Sequence, residues 1–253
     1  MPVIGKHAFV TGGGSGIGLA IAKALAQQQW RVTIAGRTKA RLQTAAATIP
    51  GARIRVMDVT KPDSVEGALH AAVDANGPVH LLVNNAGAVT SAPFEKMGTS
   101  AWRQSLDVNL MGAVHCTHAV LNDMKAARWG RIVNVASTAG LVGYRYVSAY
   151  VAAKHALVGF TKALALEIAK TGVTINAVCP GFTDTDIIAN AVKTISKASN
   201  RSTVDALASF TASNPQGRLV RPDEVADAVL WLASEESAAV NGIALPIAGG
   251  EVA

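Results

Sequence analysis

Acidic residues are missing from the first 57 positions of this 253-residue chain, where eight basic ones stand: Lys6, Lys23, Arg31, Arg37, Lys39, Arg41, Arg53 and Arg55. Cysteine is nearly absent too. Cys116 and Cys179 are the only two, each inside an apolar stretch, which excludes a disulfide-stapled scaffold and fits a reduced, cytoplasmic setting. No run of eighteen apolar residues occurs, and the opening MPVIGKHAFVTGG passes directly into a strand pattern. Neither a membrane span nor a signal peptide is therefore expected. Charged residues make up only 16% of the chain against 50% hydrophobic, a balance that excludes disorder and provides a large core. The net charge of +6 comes without a recognisable reading module or aromatic platform, so nucleic-acid binding is not expected. The one-sided basic excess points instead to an anionic ligand near the N-terminal part. HCTH at 115–118 puts two histidines and a cysteine on one helical stretch with no further cluster, and no metal site is expected.

Short Val- and Ile-rich runs at about 6–11, 31–36, 53–57, 79–84, 131–135, 173–178 and 243–247 read as strands. Between them, helical patterns run near 16–29, 38–48, 62–75, 100–126, 148–170 and 222–234. Continuous apolar strands alternating with helices imply parallel pairing with helices on both faces. Right-handed crossovers then give a single-domain α/β fold, a doubly wound, Rossmann-type parallel sheet of about seven strands. The helix at 148–170 is apolar around most of its circumference and so needs cover on more than one side, which a subunit interface supplies. Residues 182–214 form an unusually long connection rich in Ser, Thr, Ala and Asn; a partly helical lid over a site is expected there.

VTGGGSGIG follows the first strand and opens the first helix. Its spacing, Gly12-x3-Gly16-x-Gly18, departs from G-x-G-x-x-G, yet the physical roles hold. Glycines permit the tight turn and the approach of backbone N–H groups to a pyrophosphate, and the helix N-terminus favours negative charge. Placed between strand one and helix one, the loop predicts dinucleotide binding. Where a carboxylate would hold a free ribose 2′-OH, this chain has Gly36 followed by Arg37, with Lys39 and Arg41 nearby. A guanidinium without a competing carboxylate suits a 2′-phosphate, so NADP(H) is expected over NAD(H).

All three tyrosines lie in one stretch: Tyr144, Tyr146 and Tyr150. Tyr150 precedes Lys154 by one helical turn, and Ser137 stands thirteen residues earlier after a strand. Together with Thr11-Gly12-x3-Gly16-x-Gly18, NNAG at 84–87 and Pro180-Gly181, these motifs resemble the short-chain dehydrogenase/reductase family over nearly the whole chain. A phenol ionises near pH 10, so Tyr150 is a ready proton donor at neutrality; an adjacent ammonium is expected to lower that value. Ser137 is suited to hydrogen-bonding a substrate carbonyl. The resemblance further implies that Lys154 holds the nicotinamide ribose and that Asn109 supports a proton-relay water. It assigns cofactor contacts to Thr11, Gly12, Ser15, Gly16, Ile17, Gly18, Arg37, Asp58, Val59, Asn84, Ala86, Gly87, Tyr150, Lys154, Pro180, Gly181, Thr183 and Thr185, with Asp58 and Val59 at the adenine. Ser15 departs from the basic residue that many NADP-preferring relatives carry in this loop.

TAGLVGYRY after Ser137 offers Leu141, Val142, Tyr144 and Tyr146 as an apolar and aromatic substrate wall. The run KHALVGFTKALALEIAKTGVTINAVCPGF resembles 3-oxoacyl-thioester reductases and polyketide ketoreductases, which implies substrates borne by coenzyme A or an acyl carrier protein and a homotetrameric assembly. Arg103, Arg128, Arg131, Lys193, Lys197 and Arg201 are candidates to meet such an anionic carrier. A small or cyclic secondary alcohol stays open as substrate, as does a non-catalytic dinucleotide-sensing regulator.

Overall fold

HAFVT, buried at all five positions, forms the first of seven strands: β1 (His7–Thr11), β2 (Arg31–Gly36), β3 (Arg53–Val56), β4 (Val79–Asn84), β5 (Gly130–Val135), β6 (Val173–Pro180) and β7 (Ala244–Ile247). The computed structural model describes residues 5–199 and 202–253. Its helices are α1 (Gly16–Gln27), α2 (Lys39–Ala46), α3 (Pro62–Asn76), α4 (Thr99–Leu106), α5 (Gly112–Ala126), α6 (Ser148–Ile168), α7 (Asp186–Ser199), α8 (Thr203–Thr211) and α9 (Pro222–Ala233). The strands pair in parallel in the order β3-β2-β1-β4-β5-β6-β7. Strand order reverses between β1 and β4, and the crevice outside the carboxyl ends of the strands opens there.

Alternation along each strand feeds two cores. Val10, Ile34, Val83 and Val178 face Ile21 and Leu25 of α1 and Val225, Val229 and Leu232 of α9. On the other face Phe9, Leu82, Ile132 and Ile175 meet Leu69 of α3, Val120 of α5 and Ile168 of α6. Both faces are covered, which is why the central strands read as unbroken apolar runs.

The expected helix at 100–126 is not one helix. A π-helical turn, Asp107–Met111, separates α4 from α5. Asn109 sits in it, 2% exposed, and its side chain grips the Ala88 peptide from both sides: Oδ1 accepts from the Ala88 N–H at 3.1 Å and Nδ2 donates to the Ala88 carbonyl at 2.8 Å. That tertiary grip holds the widened turn, and hydrophobic spacing carries no trace of it. Residues 182–214 are helical in α7 and α8, as expected of that segment.

At the amino ends of the strands lies a buried polar group. His7, fully buried, donates from Nδ1 to the Gly77 carbonyl at 2.7 Å, and its Nε2 accepts from the Thr33 hydroxyl at 2.9 Å. Asn76 in turn donates to Thr33 at 3.1 Å. This arrangement fits the neutral ring, and burial lowers the His7 pKa from 6.5 to about 4. The unfolded chain therefore takes the proton first as pH falls. The contribution is fully present above about pH 6.5 and is lost towards pH 4, amounting to about 3 kcal/mol. Urea unfolding at pH 7 and pH 4.5 should show this loss in the wild type and a clearly smaller one in His7→Gln.

Candidate active site

The glycine loop joins β1 to α1 with Gly12 and Gly16 at φ 65° and 51°, where a side chain is strained. Ser15 is the N-cap of α1, makes no side-chain capping bond, and no acidic residue follows in the first turn. The first N–H groups are thus left for an anion. Thr185 closes over the loop: a Cβ on Gly16 would stand 3.1 Å from its methyl carbon. Next to this cradle a cavity of about 470 Å³ is lined by Arg37 after β2, Asp58 and Thr60 after β3, and Arg103 and Asp107 from α4 and the π turn. Burial acts to raise the Asp58 pKa, but hydrogen bonds from the Thr60 hydroxyl and N–H, aided by Lys61 and Arg37, bring it below the usual range. Val59 is fixed beneath by His115, whose Nδ1 lies 3.0 Å from its carbonyl, and by Gly112, where a Cβ would approach Val59 to 2.7 Å. A short loop, a helix N-terminus with free donors and a pocket that presents the Arg37 and Arg103 guanidiniums beside the Asp58 and Asp107 carboxylates fit a phosphorylated dinucleotide.

Two expected cofactor contacts are turned inward. The Thr11 hydroxyl donates to the Val83 carbonyl at 3.3 Å and accepts from the N–H groups of Asn85 and Ala86 at 3.0 and 2.9 Å, which uses its full capacity. Asn84 is 5% exposed and donates to Asn134 and Thr117, continuing a buried chain through Asn134 to Thr161. Its neighbour Asn85 does the work at the loop, donating to the carbonyls of Thr11 at 2.9 Å and Gly12 at 3.2 Å. Ile17, in the first turn of α1, is partly buried against the core. Thr183 is buried and donates to the Gly181 carbonyl at 2.9 Å.

Lys154 and Ala153 are buried on the face of α6 that packs on the sheet end. The Lys154 ammonium donates to the Val135 carbonyl at 2.8 Å, and burial lowers its pKa to about 8. It lies 5.7 Å from the Tyr150 ring centroid. Gly87 keeps space for this assembly, since a Cβ there would lie 2.9 Å from Asn109 Oδ1 and 3.7 Å from Lys154 Nζ. The expected lowering of the Tyr150 pKa by Lys154 is not seen: burial pushes the phenol up, opposed by its hydrogen bond with Ser137. The reason is distance and direction, because the ammonium is aimed at Val135 rather than at the phenol. Ser137 also caps the 3₁₀ turn Thr138–Gly140, accepting from the Ala139 N–H at 3.1 Å.

Of the expected wall, Tyr144 turns inward and Leu141 packs partly against the core, while Val142 and Tyr146 are exposed. Tyr144 meets Phe182 edge-on, and Phe182 meets Phe210 of α8 in the same way, joining the wall to the 182–214 segment. Among the cationic candidates, Arg131 is buried against the Ser234 and Gly130 carbonyls and does not face solvent. Arg103 lines the cofactor-side cavity, Arg128 and Lys193 are exposed, and Arg201 and the Lys197 side chain lie outside the described residues.

A family model for short chain dehydrogenases matches residues 6–196. The chain belongs to the short-chain dehydrogenase/reductase family. Within this family it is 41% identical to the D-beta-hydroxybutyrate dehydrogenase of Cupriavidus necator, over 98% of both chains. It is 37% identical to the 3-oxoacyl-[acyl-carrier-protein] reductase FabG of Vibrio cholerae, covering 99% of this chain and 98% of the other. A crystal structure of an actinorhodin polyketide ketoreductase variant with NADPH superposes at a TM-score of 0.94 with 39% identity, over 98% of this chain and 97% of the other. The chain is accordingly an oxidoreductase of this family. Ser137, on the turn after β5, bonds Tyr150 of α6, with Lys154 one turn further along the same helix. Sequence reading quoted Asn85 within NNAG without giving it a task; its signal was there, whereas Glu251, which bonds Tyr144 at 2.6 Å, has no local motif. Because Thr11 satisfies two partly buried N–H groups at once, Thr11→Val should destabilise the fold by about 2 kcal/mol in urea unfolding, beyond the loss of a surface hydroxyl.

Proposed function

We propose that this oxidoreductase is an NADP(H)-dependent ketoreductase acting on a 3-oxoacyl thioester borne by coenzyme A or an acyl carrier protein, within a reduced cytoplasm. The observation that carries the reading is the gathering of Ser137, Tyr150 and Lys154 at the end of β5, beside the glycine loop. The similarity to FabG and to a polyketide ketoreductase with NADPH supports the substrate class and the cofactor. The similarity to D-beta-hydroxybutyrate dehydrogenase favours a second reading, a dehydrogenase of a small secondary alcohol. A regulator without turnover would have no use for a buried lysine one helical turn from a tyrosine that is hydrogen-bonded to Ser137.

When bound, the nicotinamide cofactor supplies the hydride. The protein's own groups do the rest. Ser137 holds the carbonyl oxygen, and Tyr150 donates the proton to the developing alkoxide. The raised phenol pKa suits that direction, because the tyrosine stays protonated through neutrality. Lys154 supplies a fixed positive charge and hydroxyl-binding donors near the site. Asn109 acts as a positioning residue, since its amide is committed to Ala88 and to the Ser105 carbonyl at 3.0 Å. Pro180, Gly181, Thr183 and Thr185 form the floor beneath a lid made by α7 and α8, whose Ile187, Val204 and Leu207 expose apolar surface for an organic chain. NADP(H) is preferred because Arg37 lines the cavity with no carboxylate at Gly36. Exposure of Leu166 at 83% on α6 supports assembly as a homotetramer through that helix.

Measured as NADPH oxidation with acetoacetyl-CoA, Tyr150→Phe should lower kcat on the order of 10²- to 10⁴-fold, and full retention of activity would end this assignment. Reduction should be level from pH 6 to about 7.5. It should decline above about pH 8 as Lys154 loses its proton, whereas alcohol oxidation, which needs the ionised phenol, should climb with pH. Arg37→Ala and Gly36→Asp should each shift the NADPH-to-NADH ratio of kcat/KM towards NADH by at least tenfold.

A further inference from the structure

Glu251 stands near the end of the chain, after β7, and is the one carboxylate that touches the substrate wall among the described residues. Gly249 and Gly250, at φ 60° and 94°, turn the segment back, and the Glu251 N–H donates to the Ala248 carbonyl at 3.1 Å. The space beside Gly249 is filled by the buried Asn214 amide, so the tail is pinned against the chain that follows α8. Glu251 Oε1 then accepts from two hydroxyls: Tyr144 at 2.6 Å and Ser213 at 2.9 Å. Its Oε2 lies where only a glycine leaves room, 2.6 Å from the place a Cβ on Gly181 would take.

Through Tyr144 the carboxylate is tied to the turn that carries Ser137, and Tyr144 lies within electrostatic reach of Tyr150. The Tyr144 hydroxyl accepts from Thr138 at 2.8 Å, and Thr138 follows Ser137 directly. Both partners of Glu251 are neutral. The ion pairs among the described residues join Lys6 to Glu235 and both Arg218 and Arg221 to Glu224, and none includes Glu251. Two hydroxyl donors orient the negative charge without cancelling it. Tyr144 registers it: burial and then the Glu251 carboxylate push its pKa up to about 12.

We propose that Glu251 is a specificity-determining residue, which favours carbonyl substrates whose group next to the reacting centre is neutral and disfavours those bearing a free carboxylate there. This rests on the carbonyl-reduction reading above and chooses within it: a thioester or ester is accepted, a 3-oxo acid is repelled. A carboxylate seated beside the carbonyl held by Ser137 faces the fixed charge of Glu251 through a partly buried medium. Repulsion of that kind lowers kcat/KM on the order of 30-fold or more.

Acetoacetate and ethyl acetoacetate share one skeleton and differ in this charge, so their NADPH-dependent reduction by the full-length wild type and by Glu251→Gln separates the alternatives. Gln keeps an oxygen for Tyr144 and Ser213 and removes the charge. The acid-to-ester ratio of kcat/KM should rise at least tenfold in the variant while the ester rate stays within threefold. An unchanged ratio, or equal loss on both compounds, overturns the charge filter and leaves Glu251 a structural tie. Failure of the wild type to reduce either compound overturns the carbonyl-reduction reading itself, and this inference with it.

Discussion

An ammonium group taken out of water and aimed at a single backbone carbonyl organises this molecule. Lys154 is 4% exposed, and its ammonium donates to the Val135 carbonyl at the end of β5. Burying a charge in this way is costly, and burial accordingly lowers the Lys154 pKa. The surroundings are shaped to hold it. Gly140 lets the 3₁₀ turn after Ser137 lie against α6, where a Cβ would come within 2.9 Å of the Lys154 carbonyl oxygen. Gly87 leaves the space that Asn109 and the ammonium share. Ser137, the π turn and α6 are brought to one place by the demands of one lysine.

Two buried polar systems keep the carboxyl ends of the strands in register. Thr11 ties β1 to the segment after β4, with Asn85 returning the tie to the glycine loop. Asn84 and Asn134, paired partners in β4 and β5, run a second chain outward to Thr117 of α5 and Thr161 of α6. Hydrogen bonds of this kind stabilise modestly when made and cost much more when one member is missing, so they specify geometry more than they add stability. The resulting rigidity matters for the proposed reaction, because Ser137 and the Tyr150–Lys154 helix come from separate elements and must be held in a fixed relation.

Opposite the cofactor crevice the pocket is closed by parts remote in sequence: the turn after β5, the floor after β6, α8 and the C-terminal tail. The aromatic series Tyr144, Phe182 and Phe210 and the carboxylate of Glu251 join these parts. Relatives about 40% identical over nearly the whole chain bear names of different substrates, which fits a framework that hosts different specificities.

The order of strands and helices was legible because both faces of the sheet are covered, so burial alone writes apolar runs of the right period. The glycine loop, Arg37 and Ser137 stood out because each follows a strand, and Tyr150 and Lys154 because they stand one turn apart at the start and in the second turn of one helix. What local pattern left undetermined was direction. Thr11 and Asn84 face inward, the Lys154 ammonium turns to Val135, and Asn109 sits in a π turn, since each side chain answers to a partner at least 19 residues away. Glu251 had no sequence signal at all. Its partners, Tyr144 and Ser213, become neighbours only when the completed sheet brings the tail back across the pocket, and hydrogen bonding between distant segments is a property of the fold rather than of any stretch of chain.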